Sequence, residues 1–368
     1  MKRIIIGTRA SKLAMIQTQW VVERLKLQEP TIEIVIEQIH TTGDAITHIP
    51  LTEIGGDGVF VMEIERALLE GRIDLAVHSL KDLPTTQPDG LSVIAVGARE
   101  DARDVLVVNG QLDQPWKTEP GLYTKENEHP TSRGDPGGRP GETMHSRGDP
   151  GGRPRGGHPG GGRTAVRIGT CSLRRTAQIR ALFPEVEILP LRGNVDTRLR
   201  KLDAGDFDGI VLAAAGLHRL GMHERLVGRM SYLPIEMMMP APGQGALALE
   251  MRDDPDMQLL IAPLRNAITQ ATTNAERVFM RRLGAGCYLP IGAHGEIIGE
   301  TLILKGLVIS LDGQQQVRVN GSMPWMPETH VEYAEQLAVQ LAERALAEGA
   351  AEIINTLHDT SFGEHQHV

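Results

Sequence analysis

Short apolar runs alternate with stretches of helical period from residue 3 to about residue 250, the pattern of an α/β chain. RIIIG at 3–7 reads as a strand and leads into TRASKLAMIQTQWVVERLKL at 8–27, where Leu13, Ile16, Trp20, Val21 and Leu25 recur at helical spacing. IEIVIEQI at 32–39 is the next strand, and VFVMEIERALLEG at 59–71 the next helix, with Gly71 as its C-terminal cap. IDLAVHS, LSVIAVGA and DVLVVN follow as strands at 73–79, 91–98 and 104–109. A second series opens with the strand AVRIG at 165–169. It continues with a helix around TAQIRALF, the strand EVEILPL, the helix NVDTRLRKLDAG and the strand FDGIVLAAA, which ends at 215.

The two series echo each other. Residues 5–14 read IIGTRASKLA and residues 167–176 read RIGTCSLRRT, so in each a strand ends in Gly-Thr and a helix opens with a hydroxyl and basic residues. Two similar domains are expected. Past residue 265 the pattern changes: ATTNAERVFMRRLG at 271–284 is a helix, and LILKGLVISL and QVRVNGSM are strands around the turn Asp312-Gly313. Thr329 to Leu346 is an amphipathic helix, giving a small α+β third domain. Residues 124–163 are rich in Gly, Pro and Arg, and SRGDPGGRP at 132–140 recurs at 146–154. Such a segment cannot bury a core and is expected to be a disordered insertion in the second domain, without a cell-adhesion role for its RGD triplets.

Length agrees with several domains, because 368 residues exceed what one core usually supports. The net charge of −9 argues against general nucleic-acid binding, and two cysteines, with no zinc-like spacing, make neither a disulfide framework nor a metal site. A reducing cytoplasm is expected: Met1-Lys2-Arg3 runs straight into Ile4-Ile5-Ile6, too short for a signal core, and no apolar run reaches membrane-span length.

Candidate chemistry concentrates at loops and helix starts. Cys287, in RRLGAGCYLPIGAHGE, has glycines before it and Pro290 after it, a setting that presents a thiol; the alternative is a buried cysteine acting as a small hydrophobe. Helix N-termini at Ser11 and Ser172 are natural anion sites, or else simple N-caps. Arg9, Lys81, Arg174, Arg175, Arg192, Arg198 and Arg219 recur after predicted strands, where α/β domains place ligands. Guanidinium forks suit a ligand with many carboxylates, although each taken singly is also an ordinary surface charge. In HSLKDLP at 78–84, Asp82 is either a carboxylate placed to stabilise a developing cation or a turn residue ahead of Pro84.

GTRASKLA, HSLKDLP, IGTCSLRR, LRGNVDTRL, AAAGLHRLG, PAPGQGA and GAGCYLPIG occur in the order seen in the porphobilinogen deaminase (hydroxymethylbilane synthase) family, which the chain resembles over nearly all its length outside the insertion. The resemblance implies two periplasmic-binding-protein-like α/β domains flanking a cleft, plus a small α+β C-terminal domain. Their bounds are expected at 1–97 with 246–263, at 98–239, and at 268–368. It implies a dipyrromethane cofactor joined by a thioether to Cys287, and stepwise condensation of four porphobilinogen molecules with loss of ammonia, followed by hydrolysis to a linear tetrapyrrole. It also implies a cytoplasmic monomer without a nucleic-acid or membrane partner.

Carried over by motif, Lys81, Asp82, Thr170, Ser172, Arg174, Arg175 and Arg198 hold the cofactor, and Arg9, Ser11, Gln17, Ser79, Arg192, Asn194, Arg198 and Arg219 bind substrate or the growing chain. Asp82 is the central catalytic group, stabilising the cationic azafulvene left by ammonia, and Phe60 stacks on the pyrroles. Two departures stand out: Asp57 where the family has a basic residue in a GKG-type loop, and Cys171 where a serine is usual. The rival readings are a non-catalytic two-lobed anionic-solute-binding protein and a cysteine hydrolase. The second lacks a motif-linked histidine, since His294 is expected on the surface of the Cys287 loop.

Overall fold

The structure, a computed structural model, describes residues 3–41, 61–110, 165–284, 289–327 and 330–363. Its first sheet has the order β2-β1-β3-β10-β4. The strands are β1 (Arg3–Thr8), β2 (Glu33–Gln38), β3 (Leu75–Ser79), β4 (Leu91–Val96) and β10 (Leu247–Arg252). β1 runs parallel to β2 and β3, whereas β10 lies antiparallel between β3 and β4. The second sheet repeats this plan in the order β7-β6-β8-β5-β9. Its strands are β5 (Asp104–Val108), β6 (Arg167–Gly169), β7 (Glu187–Leu189), β8 (Gly209–Ala213) and β9 (Met230–Tyr232). β6 is parallel to β7 and β8, and β5 lies antiparallel between β8 and β9. A third, fully antiparallel sheet joins β11 (Ile291–Ile298), β12 (Thr301–Ile309) and β13 (Gln316–Pro324). The architecture is thus mixed α/β: two sheet-and-helix lobes and a C-terminal unit of three strands and helices.

The helices are α1 (Lys12–Gln28), α2 (Met62–Leu69), α3 (Leu173–Leu182), α4 (Val195–Asp203), α5 (Ala214–Arg219), α6 (Pro255–Ile261), α7 (Ala267–Arg282), α8 (His330–Ala345) and α9 (Ala351–Gly363). Among the described residues no helix is long and apolar enough to cross a membrane. α1 buries Val21, Val22 and Leu25 against Ile4, Ile6, Leu75, Val77 and Leu249 of the first sheet. Its inner face is rotated from the apolar stripe in the sequence, for it also buries Gln17 and Thr18 while Leu13, Ile16 and Trp20 are only partly covered. Two polar contacts explain the rotation: Gln17 Nε2 donates to Ser79 Oγ at 2.9 Å, and Thr18 Oγ1 lies 2.8 Å from Thr8 Oγ1. α2 closes as expected beside Gly71, at φ 70°, whose amide donates to Leu68 O while that of Arg72 donates to Ala67 O.

Leu191, Leu202, Ile210, Leu212 and Leu217 fill the second lobe's core, and Phe279, Leu302, Leu304, Leu337 and Leu341 that of the third unit. The apolar pattern marks no strand at 247–252 or 291–298. β10 completes the first sheet from the far side of the second lobe, and β11 is interrupted by glycines, so neither stands out locally. His294 corrects an expectation: it lies within β11, 8 % exposed, with Nδ1 4.0 Å from Glu276 Oε1, because the chain enters the sheet directly after Pro290 instead of prolonging the loop. Burial pushes its imidazole pKa down, and Glu276 opposes that shift.

The chain crosses between the lobes twice, from β4 to β5 and from β9 to β10, and the two crossings are bonded to each other. Arg99 Nε donates to Gln244 O at 2.9 Å and Glu100 N to Gly245 O at 3.1 Å. Both crossings converge on Glu276 of α7, which is fully buried and takes a bidentate pair from Arg99 at 2.6 and 3.0 Å. The same carboxylate accepts Gly243 N at 2.7 Å and Gly295 N at 2.6 Å, joining the crossings to the third unit.

Gly245 is required here twice over. Its φ is +92°, and a Cβ would overlap the carbonyl oxygen of Glu100. Gly245→Ala is expected to lower the melting temperature by roughly 5–10 °C. Gly221→Ala, at φ +65° with nothing within 4 Å of its Cβ, is expected to show backbone strain alone and less than half that loss by thermal unfolding.

Candidate active site

β3 ends at Ser79 and passes into a 3₁₀ turn, Leu80–Asp82, whose apolar members fix it: Leu80 and Leu83 are buried, Lys81 is partly covered and Asp82 is exposed. Leu80 N donates to Ala246 O at 3.0 Å. From the third unit, Arg277 donates to the carbonyls of Leu83 at 3.1 Å and Pro84 at 2.6 Å. Asp82 is therefore an exposed carboxylate on a turn held from three sides, and Ser79, just before it, is held by Gln17.

In the second lobe β6 ends at Gly169, followed by buried Thr170, partly buried Cys171 with a free thiol, and Ser172 at the N-cap of α3. Ser172 Oγ accepts Arg175 N at 3.4 Å, and Thr170 Oγ1 accepts Ser172 N at 3.1 Å. Ser11 caps α1 in the same way through Ala14 N, and Asn194 caps α4 through Thr197 N at 2.9 Å. The first turn of α3 sends Arg174 and Arg175 inward to one carboxylate. Arg174 Nη2 donates to Asp104 Oδ2 at 2.9 Å and Arg175 Nη2 to Asp104 Oδ1 at 2.7 Å; all three side chains are at most 7 % exposed. Arg175 Nη1 also donates to Val211 O at 3.0 Å, while Nε of both arginines is buried with no hydrogen-bond partner among the described residues.

Charge within this cluster is uneven. Burial opposes ionisation of Asp104, and the two guanidiniums more than reverse it, holding its carboxyl well below the usual carboxylate range. Lys81 is pushed down to about 8, first by burial and then by Arg175, with Asp82 and Asp104 opposing. Arg198 of α4 is pushed down to about 10 by burial and Arg175, with Cys171 and Asp82 opposing, and its Nε donates to Gly193 O at 2.7 Å. Lys81, Asp82, Arg174, Arg175 and Arg198 thus share one electrostatic neighbourhood fed by both lobes, with four cations against the two carboxylates Asp82 and Asp104.

Arg219, pushed down to about 10 by burial, donates to Gly245 O at 2.6 Å in the second crossing. Beside it His218 Nδ1 meets Glu100 Oε1 at 3.0 Å and Nε2 meets Tyr232 Oη at 2.6 Å. Arg9 and Arg192 lie partly buried past the ends of β1 and β7. Cys287, Phe60 and Asp57 lie outside the described residues, as does the 124–163 insertion. Sequence reasoning missed Asp104, read only as the start of a strand, and Gln244, read only as part of a motif. The one local signal was a carboxylate heading an otherwise apolar run.

Comparison with known proteins places the chain. The family described as "Porphobilinogen deaminase, dipyromethane cofactor binding domain" matches residues 4–123 and 162–259, and "Porphobilinogen deaminase, C-terminal domain" matches 270–347. A porphobilinogen deaminase of Syntrophotalea carbinolica is 42 % identical over 356 residues, covering 96 % of this chain and 96 % of its own. That of Desulforudis audaxviator is 41 % identical over 354 residues, covering 96 % of this chain and 97 % of its own. That of Geobacter metallireducens is 37 % identical over 368 residues, covering 100 % of this chain and 98 % of its own.

Asp104→Asn leaves two buried guanidiniums facing a neutral amide, and a loss of about 3–5 kcal/mol is expected in denaturant unfolding. A carboxyl whose folded pKa is depressed contributes stability above its unfolded pKa of about 3.9, and that contribution goes only as pH falls through the still lower folded value. The gap between wild type and Asp104→Asn is therefore expected to stay constant from neutral pH down to about 5 and to narrow below about 4.

Proposed function

Because the chain belongs to the porphobilinogen deaminase family, we propose that it condenses four porphobilinogen molecules head to tail onto a covalently bound dipyrromethane primer, releasing ammonia at each step, and then hydrolyses off linear hydroxymethylbilane. Such an enzyme is a transferase of tetrapyrrole and heme biosynthesis. The observation that carries the reading at the residue level is the surplus of positive charge at buried Arg174 and Arg175 and partly buried Lys81 and Arg198, next to an exposed carboxylate, Asp82.

The primer carries acetate and propionate groups, and the cluster fits them. Among the described residues, Arg174 Nε and Arg175 Nε are buried donors without an acceptor, and carboxylates placed there would satisfy both and offset the surplus charge. When bound, the primer supplies the nucleophilic pyrrole carbon that takes up each new unit. Lys81, Thr170, Ser172, Arg174, Arg175 and Arg198 orient its carboxylates. Arg9, Ser11, Gln17, Ser79, Arg192, Asn194, Arg198 and Arg219 receive porphobilinogen and the lengthening chain, and Phe60 stacks on a pyrrole ring. Asp82 acts where ammonia leaves: its carboxylate, held on the turn fixed by Leu80, Leu83 and Arg277, stabilises the cation left on porphobilinogen and then assists removal of the surplus proton. Cys287 reacts once, forming the thioether that anchors the primer. Cys171, a weaker donor than serine, removes one hydrogen bond from the primer's setting.

A non-catalytic solute-binding protein gives no role to Asp82, Cys287 or the third unit, and the family match favours the enzyme. A cytoplasmic monomer without a nucleic-acid partner belongs to the same proposal. It rests on the family resemblance and on the net charge of −9, and light scattering tests the monomer.

Asp82→Asn is expected to lower kcat at least about 100-fold while the pyrrole adduct stays visible in the intact mass. Near-normal turnover in that variant would sink the assignment. Cys287→Ser is expected to give the bare polypeptide mass and no colour with Ehrlich's reagent after incubation with porphobilinogen. A retained adduct would move the attachment elsewhere.

A further inference from the structure

The PAPGQGA stretch at 240–246 forms the end of the second crossing, and its glutamine has no part in the roles above. Gln244 is fully buried, with Gly243 at φ +76° before it and Gly245 at φ +92° after it, a backbone course that turns its side chain inward between the lobes. Its Nε2 donates to Ala102 O at 2.7 Å and to Asp104 Oδ1 at 2.9 Å, and its Oε1 accepts from Lys81 Nζ at 3.2 Å. Its main chain is equally tied: N donates to Ala241 O at 2.9 Å and O accepts Arg99 Nε at 2.9 Å.

We propose that Gln244 is a positioning residue that sets the Lys81 ammonium of one lobe against the Asp104–Arg174–Arg175 cluster of the other. The proposal rests on the reading that these basic side chains hold the primer's carboxylates. An uncharged amide suits the task in a way a charged or apolar residue does not. It donates to a carboxylate on one side and accepts from an ammonium on the other, so both ions belong to one buried network without forming a direct pair. A direct Lys81–Asp104 pair would turn the ammonium away from a ligand and loosen Asp104's hold on the two arginines. The charged groups facing Lys81 are Asp82 on its own turn, Asp104 of β5, and Arg174 and Arg175 of α3, which makes Gln244 the neutral member of the set.

The test uses two variants that act on Lys81 with opposite sign. Gln244→Met keeps the length and removes the acceptor; Gln244→Glu keeps an acceptor and adds a charge. Acetylation of Lys81 by acetic anhydride, followed by peptide mass spectrometry of the full-length protein across neutral to alkaline pH, is expected to show a wild-type midpoint near 8. The midpoint should fall in Gln244→Met and rise in Gln244→Glu, each by about one pH unit. In turnover, Gln244→Met is expected to lower kcat/KM about tenfold. In a Lys81→Met background the same change should add less than about twofold, since it acts through Lys81. A midpoint that stays put in both variants, or moves the same way in both, overturns the proposal, as does full additivity with Lys81→Met. Wild-type turnover in Lys81→Met would instead strike the reading of Lys81 as a primer ligand, while the labelling arm still decides whether Gln244 governs that ammonium.

Discussion

One carboxylate with no access to solvent organises the centre of this molecule. Asp104 heads β5 and meets Arg174, Arg175 and Gln244 at 2.7 to 2.9 Å. A buried charge persists only when it is paired and hydrogen-bonded, and here the pairing is lopsided, with one anion among several cations. That imbalance has two effects at once. It keeps Asp104 ionised despite its burial, and it leaves positive charge in excess around that carboxylate.

The support for this centre comes from all three units. Glu276 of α7 gathers Arg99, Gly243 and Gly295, so the two crossings are held by a helix belonging to neither lobe. Arg277, one residue further along α7, holds the carbonyls just past Asp82. Adjacent residues of one helix therefore steady both the junction of the lobes and the turn bearing Asp82. The third unit is thus a scaffold for both lobes.

Much of this was legible in the sequence, and the boundary follows the range of the interactions. Strand and helix periods located β1 to β8, α1, α3, α4 and α7, because their patterns are local. The caps at Ser11, Ser172 and Asn194 and the closing turn at Gly71 are short-range hydrogen bonds that their residue types announce. What escaped was long-range. β10 pairs with strands more than 150 residues earlier in the chain, Gln17 and Thr18 are buried by polar partners that no stripe reveals, and His294 is buried because a glycine-bearing segment is a strand. Arg174 and Arg175 were legible as a basic pair for carboxylates, but the carboxylate they already share stands 70 and 71 residues away, within an apolar run.

The exchange of strands between the lobes carries a consequence for the order in which the molecule comes into being on a ribosome. β10 fills the gap between β3 and β4, so the first lobe, though encoded first, keeps two open strand edges until residue 252 has been made. β5, by contrast, is synthesised early and waits for β8 and β9. Both sheets are then completed by one late stretch, 230–252, which also contains Gln244. The second sheet is finished only some twenty residues before the first, and a nascent chain halted before this stretch carries two incomplete sheets with exposed edges, the species most open to aggregation and to chaperone capture.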